Sequence, residues 1–95
     1  MRTPIHPGEI LEDELNELGM NAATLASHIH VPSNRVTQIL KGQRTITADT
    51  ALRLGRFFRT SAAFWVNLQK AYELDCAVKK HSKEIEAIKP LEMVT

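Results

Sequence analysis

The chain contains a single cysteine, Cys76, in 95 residues. No internal disulfide can form, and a reducing cytoplasm is the expected compartment. No stretch approaches the roughly 20 consecutive apolar residues that span a bilayer. The opening residues Met1 to Pro7 lack the apolar run of a secretory signal, so no membrane association is expected. Alternation with a period of two is nowhere sustained, which argues against strands. There is no internal repeat and no low-complexity tract. Glycine and proline number only four each; they punctuate periodic segments, each is read as a helix boundary, and no glycine-rich phosphate loop is present.

Catalytic and metal chemistry find no constellation either. His28 and His30 stand two apart across a helix end, with His6 far upstream and His81 far downstream. No cysteine or carboxylate falls at zinc-ligand spacing with them, and His6 reads instead as a helix cap. Cys76 lies five residues from His81 on one presumed helix, a poor nucleophile–base geometry. No carboxylate pair sits isolated among apolar residues. An enzyme is not expected, nor a cofactor, a metal or a small-molecule substrate.

What is present is an ordinary apolar fraction, 43%, enough for one modest core, so residues 1–95 are read as a single domain. The net charge of +1 conceals an asymmetry. In residues 1–32, Arg2 stands against Glu9, Glu12, Asp13, Glu14 and Glu17, whereas residues 33–59 hold six cations and only Asp49. Such a basic middle suits a polyanion, or else both segments are merely solvated faces.

The apolar spacing predicts five helices. The first starts at Pro7, buries Ile10, Leu11, Leu15 and Leu18, and stops at Gly19. Asn21 caps a second with Leu25, Ala26 and Ile29 inward. His30-Val31-Pro32 breaks it, and a third follows with Val36, Ile39 and Leu40 inward and Gly42 at its end. Thr47 caps a fourth over Ala48 to Phe58. Ser61 caps a fifth, reaching from about residue 62 to 89, with Phe64, Trp65, Leu68 and Tyr72 as its stripe. Trp65 reads as core and the same helix as a dimer contact; Asn67 and Gln69 are placed to satisfy loop backbone groups.

Residues 22–41 therefore form two short helices across a three- to four-residue turn, the helix-turn-helix layout. Ala26 is small where the second helix crosses, and Val31 and Val36 anchor turn and helix from beneath. Ser33, Asn34, Arg35, Thr37, Gln38 and Lys41 are left outward, and residues 33–48 contain no acid. Asn and Gln pair bidentately with adenine and Arg with guanine in the major groove, read from the first turn of such a helix. Lys41 and Arg44 beside it suit phosphates, and Arg53, Arg56 and Arg59, three apart, extend that rim, Arg59 least.

The helix-turn-helix resembles the phage-repressor-like (XRE) class, and its surroundings resemble the HigA-type antitoxins of bacterial toxin–antitoxin modules. The matching pieces are His6-Pro7-Gly8-Glu9-Ile10-Leu11, Ile46 to Leu54, and Thr60-Ser61 with Phe64-Trp65, Asn67-Leu68-Gln69 and Tyr72. The resemblance implies an all-α five-helix bundle with an extended C-terminal helix, a homodimer, autorepression at a palindromic double-stranded operator, and neutralisation of a RelE-like ribonuclease toxin. It also implies that Ser33, Asn34, Thr37 and Gln38 face bases, with Arg35, Lys41 and Arg44 nearer the backbone. Two departures stand out: His30 where the turn usually has glycine, and Ser61-Ala62-Ala63 where a proline and an acid are common. The acidic first helix suits a basic toxin or is a solvated face. The alternatives are a free-standing repressor and a purely protein-binding helical module.

Overall fold

The computed structural model describes residues 3–93; Arg2, counted in the N-terminal charge above, lies outside them. Five helices follow in order: α1 (Pro7–Leu18), α2 (Ala22–Ile29), α3 (Ser33–Leu40), α4 (Ala48–Phe58) and α5 (Ala62–Glu86), then a 3-10 turn at Leu91–Met93. The described residues contain no strand, and no helix among them is long and apolar enough to cross a membrane.

The helix starts are set by local chemistry. The His6 Nδ1 accepts the Gly8 N–H at 2.9 Å while the His6 N–H donates to the Glu9 carboxylate at 3.2 Å, a reciprocal capping box. Asn21, Thr47 and Ser61 accept from the N–H groups of Thr24, Thr50 and Phe64. The ends of α1 to α4 share one geometry, a left-handed residue with the next N–H reaching back five residues. The bonds are Met20 to Leu15, Val31 to Ala26, Gln43 to Gln38 and Thr60 to Gly55. Gly19 and Gly42 fill two of the left-handed positions; His30 (φ 61°) and Arg59 (φ 59°) fill the others despite their Cβ atoms.

Leu11, Leu15, Leu25, Ala26, Ile29, Val36, Ile39, Ile46, Ala51, Leu54 and Trp65 form the core. The expected first-helix stripe is narrower than predicted. Leu18 shares the azimuth of Leu11 and Leu15 but is 55% exposed, because the core cover stops one turn earlier, at Leu15. Two glycines are also not boundaries. Gly8 lies in the first turn of α1, where a Cβ would stand 2.0 Å from the Ile39 carbonyl oxygen. Gly55 lies inside α4, where a Cβ would meet the Thr60 and Ala62 backbone at 3.0 Å. In both, the absent side chain lets two backbone segments touch.

In α5, Trp65 is buried and its Nε1–H donates to the Thr60 hydroxyl at 3.0 Å. Leu68 and Tyr72 are half-buried, and Phe64 is 42% exposed, so the predicted stripe thins to one core anchor. Beyond Gln69 no α5 residue is buried. The helix has a non-helical residue at His81 and ends at Glu86, three residues short of the predicted end. A 25-residue helix is about 37 Å long. Much of it therefore projects from the head, and the molecule measures 56 × 21 × 21 Å.

Candidate nucleic-acid interface

The α2–α3 pair stays two helices, joined through His30-Val31-Pro32. Its brace comes from α4. One guanidinium nitrogen of Arg53 donates to the Ile29 and His30 carbonyls at 2.9 and 3.1 Å, satisfying the open C-terminal end of α2. Its Nε donates to Asp49 at 3.0 Å, and the same carboxylate oxygen accepts from Arg35 at 3.3 Å. Arg53 thus leaves the phosphate rim that its spacing suggested. Arg56 remains exposed, whereas Arg59 is the left-handed residue that ends α4.

Ser33 and Asn34 are exposed at the start of α3, whose N-cap, Pro32, supplies no side-chain bond. The first N–H groups of α3 thus have no capping side chain and carry the positive end of its dipole. Gln38 is half-buried one turn on. The Thr37 hydroxyl donates to the Ser33 carbonyl at 3.1 Å, leaving its methyl as the free part. Arg35 leans toward α4 and Asp49, with 29% of its side chain exposed. Ser33, Asn34, Gln38, Lys41 and Arg44 are therefore free to meet a ligand, while Thr37 and Arg35 are partly committed. No acid occurs between Ser33 and Ala48, and Asp49 is engaged by two arginines.

Lys41 and Arg44 stand exposed on the α3–α4 loop, residues 41–47, which is tied down from two sides. Buried Ile46 plugs it into the core, and its N–H donates to the Gln69 Oε1 of α5 at 2.9 Å. Of the two polar residues expected to serve loop backbone, Gln69 does so and Asn67 is exposed. The Gln69 amide in turn donates to Glu73 at 3.1 Å, beside Lys70. Hydrogen bonds from Lys70 and then Gln69 hold the Glu73 carboxyl below its ordinary range. On the other side lies the His6 ring, which packs beneath Gly42 and faces the Arg44 backbone. Burial lowers the His6 pKa, against the opposing pull of Glu9 and of that backbone contact. Neither Asp49's neutralising role nor the His6 contact carries a sequence signal beyond residue type.

Among the described residues no group of three or more His, Cys, Asp or Glu side chains is placed to hold a metal ion. The arrangement offers amide, hydroxyl and cationic groups on one convex helix and its following loop, suited to recognition rather than bond-making.

Residues 11–65 match the family model described as helix-turn-helix. A HigA-family addiction module antidote protein from Coxiella burnetii superposes with a TM-score of 0.91 at 58% identity, covering 95% of this chain and 99% of that one. The Pseudomonas aeruginosa antitoxin HigA, solved with the higBA promoter, superposes with a TM-score of 0.89 at 49% identity, covering 94% and 99%. Virulence-associated protein I of Dichelobacter nodosus is 48% identical over 88 residues, 92% of this chain and 81% of that protein. The chain belongs to the helix-turn-helix family, and within it to the HigA-type antitoxins.

Proposed function

We propose that the protein is a homodimeric, cytoplasmic antitoxin that represses its own operon by seating α3 in the major groove of a palindromic operator. The observation that carries this is the acid-free outward face of α3, continued by the exposed cations Lys41 and Arg44. The HigA relative from P. aeruginosa, solved with its promoter, supports it. Ser33, Asn34 and Gln38 read base edges, Asn and Gln by paired bonds to adenine, and Thr37 offers its methyl to a thymine methyl. Lys41 and Arg44 grip phosphates, and Arg35 reaches one only by loosening its hold on Asp49. The free N–H groups at the start of α3 favour a phosphate at the same end. Two copies place their α3 helices on half-sites about 10 bp apart. For the dimer contact we assign the projecting half of α5, where Leu74 and Val78 are 65% and 46% exposed.

Selection from a randomised duplex pool, followed by a salt titration, tests the reading. Groove docking gives affinity that falls steeply with salt. Asn34→Ala and Gln38→Ala then each relax preference at one position by about 1–3 kcal/mol, and Lys41→Ala weakens all sequences alike. Variants that bind indistinguishably from the parent overturn the site. Neutralisation of a RelE-like ribonuclease rests on the family resemblance. Co-purification with the product of the adjacent gene, and loss of that ribonuclease's activity on mixing, separates an antitoxin from a free-standing repressor.

A further inference from the structure

We propose that His6 is a positioning residue for DNA binding: one buried imidazole that ties the phosphate-gripping α3–α4 loop to the start of α1. The inference rests on the assignment of Arg44 to the DNA backbone.

The geometry gives the ring one job on each side. Its Nδ1 is occupied by the Gly8 N–H at 2.9 Å. The proton of the neutral ring therefore sits on Nε2, on the side of the ring that faces the Arg44 backbone. The ring also lies beneath Gly42, where a Cβ would stand 3.8 Å from its Cγ. From α5, Tyr72 closes the remaining side in an edge contact, with centroids 4.8 Å apart at 70°. The imidazole is only 9% exposed and cannot reorient without disturbing three elements.

The loop needs such a tie. Residues 41–45 are all exposed, and the Arg44 side chain has no hydrogen bond or ion pair to another described residue. Where its guanidinium goes is thus set by the Arg44 backbone, which His6 holds from below. A loop fixed before binding loses less freedom on binding, so affinity gains without any contact between His6 and DNA.

The test is a double-mutant cycle on the full chain, using the duplex that the parent protein selects from a randomised pool. His6→Asn keeps an acceptor in the place of Nδ1, and asparagine is a good N-cap, so α1 stays capped. It is too short to reach the Arg44 backbone. Circular dichroism and a cooperative melt confirm the fold before binding is measured. Arg44→Ala is expected to bind about tenfold more weakly, with a salt slope lower by about one. His6→Asn is expected to lose about three- to tenfold, with its slope falling in the same direction. The double variant is then no weaker than Arg44→Ala within about twofold, because both remove one contact.

Losses that multiply, or a folded His6→Asn protein that binds like the parent, overturn the proposal while leaving Arg44 at the backbone. An Arg44→Ala protein that binds like the parent overturns the backbone assignment, and the inference with it.

Discussion

At the scale of single residues, positions of one chemical type are asked to do opposite things. His30 occupies a left-handed conformation that glycine fills at the ends of α1 and α3. That conformation costs a residue with a Cβ roughly 1–2 kcal/mol, partly offset by the greater freedom glycine has when unfolded. His30→Gly is therefore expected to raise stability by about 0.5–1 kcal/mol in urea denaturation. Gly8→Ala is expected to lower it by about 1–3 kcal/mol or more, since its methyl would drive into the Ile39 carbonyl where α1 meets α3. His6 adds a pH dependence. Burial lowers its pKa below the usual 6.5, so the fold prefers the neutral ring. The unfolded chain then binds the proton more readily, and stability present above pH 6.5 is lost as pH falls through the folded pKa. The urea midpoint of the parent should drop across that interval, and His6→Asn should flatten the drop.

At the scale of elements, the recognition helix is positioned by its neighbours more than by its own sequence. Arg53 of α4 satisfies the end of α2, Asp49 draws Arg35 aside, and Gln69 of α5 holds the loop that follows α3. Gln69 is 4% exposed and its oxygen is the partner of a buried N–H. Gln69→Leu would leave the Ile46 N–H without that partner, at a cost of about 1–3 kcal/mol. Amide hydrogen exchange reads this directly, because Ile46 should lose protection first, whereas a change confined to α5 would leave it protected. All four left-handed helix ends use the same backward bond, which makes the turns short and stiff. That stiffness keeps α2 and α3 at a fixed angle.

At the scale of the molecule, a compact head carries a projecting arm. The radius of gyration, 16.7 Å, exceeds the roughly 12 Å expected of a compact chain this long. The excess belongs to the distal half of α5, which buries no residue and exposes Leu74, Val78 and Ile85. A chain ending at Glu73 lacks Leu74 and Val78 but keeps every buried residue, the Gln69 bond to the α3–α4 loop and the Tyr72 contact with His6. Its head should melt within about 1 kcal/mol of the parent, as expected when only surface is removed. If the arm joins two copies, sedimentation should show the shortened chain as a monomer.

Helix starts, helix ends and the turn between α2 and α3 were legible in the sequence because they are local. Asn21, Thr47, Ser61 and Gly42 act on backbone groups within a few residues, and His6 was recognisable as a cap for the same reason. Apolar spacing likewise marked Leu11, Leu25, Val36 and Trp65 as core. Spacing could not say where neighbours run out, which is why Leu18 and the far part of α5 are exposed and why Arg53, apparently one of a row of cations, is a brace. Nor could it show that Gly8 and Gly55 are contact points between backbones, or that His6 reaches Arg44 from 38 residues away. Local hydrogen bonding writes itself into adjacent letters. Which surface meets another, and which charge finds a partner, depends on distances that arise only once the helices are packed.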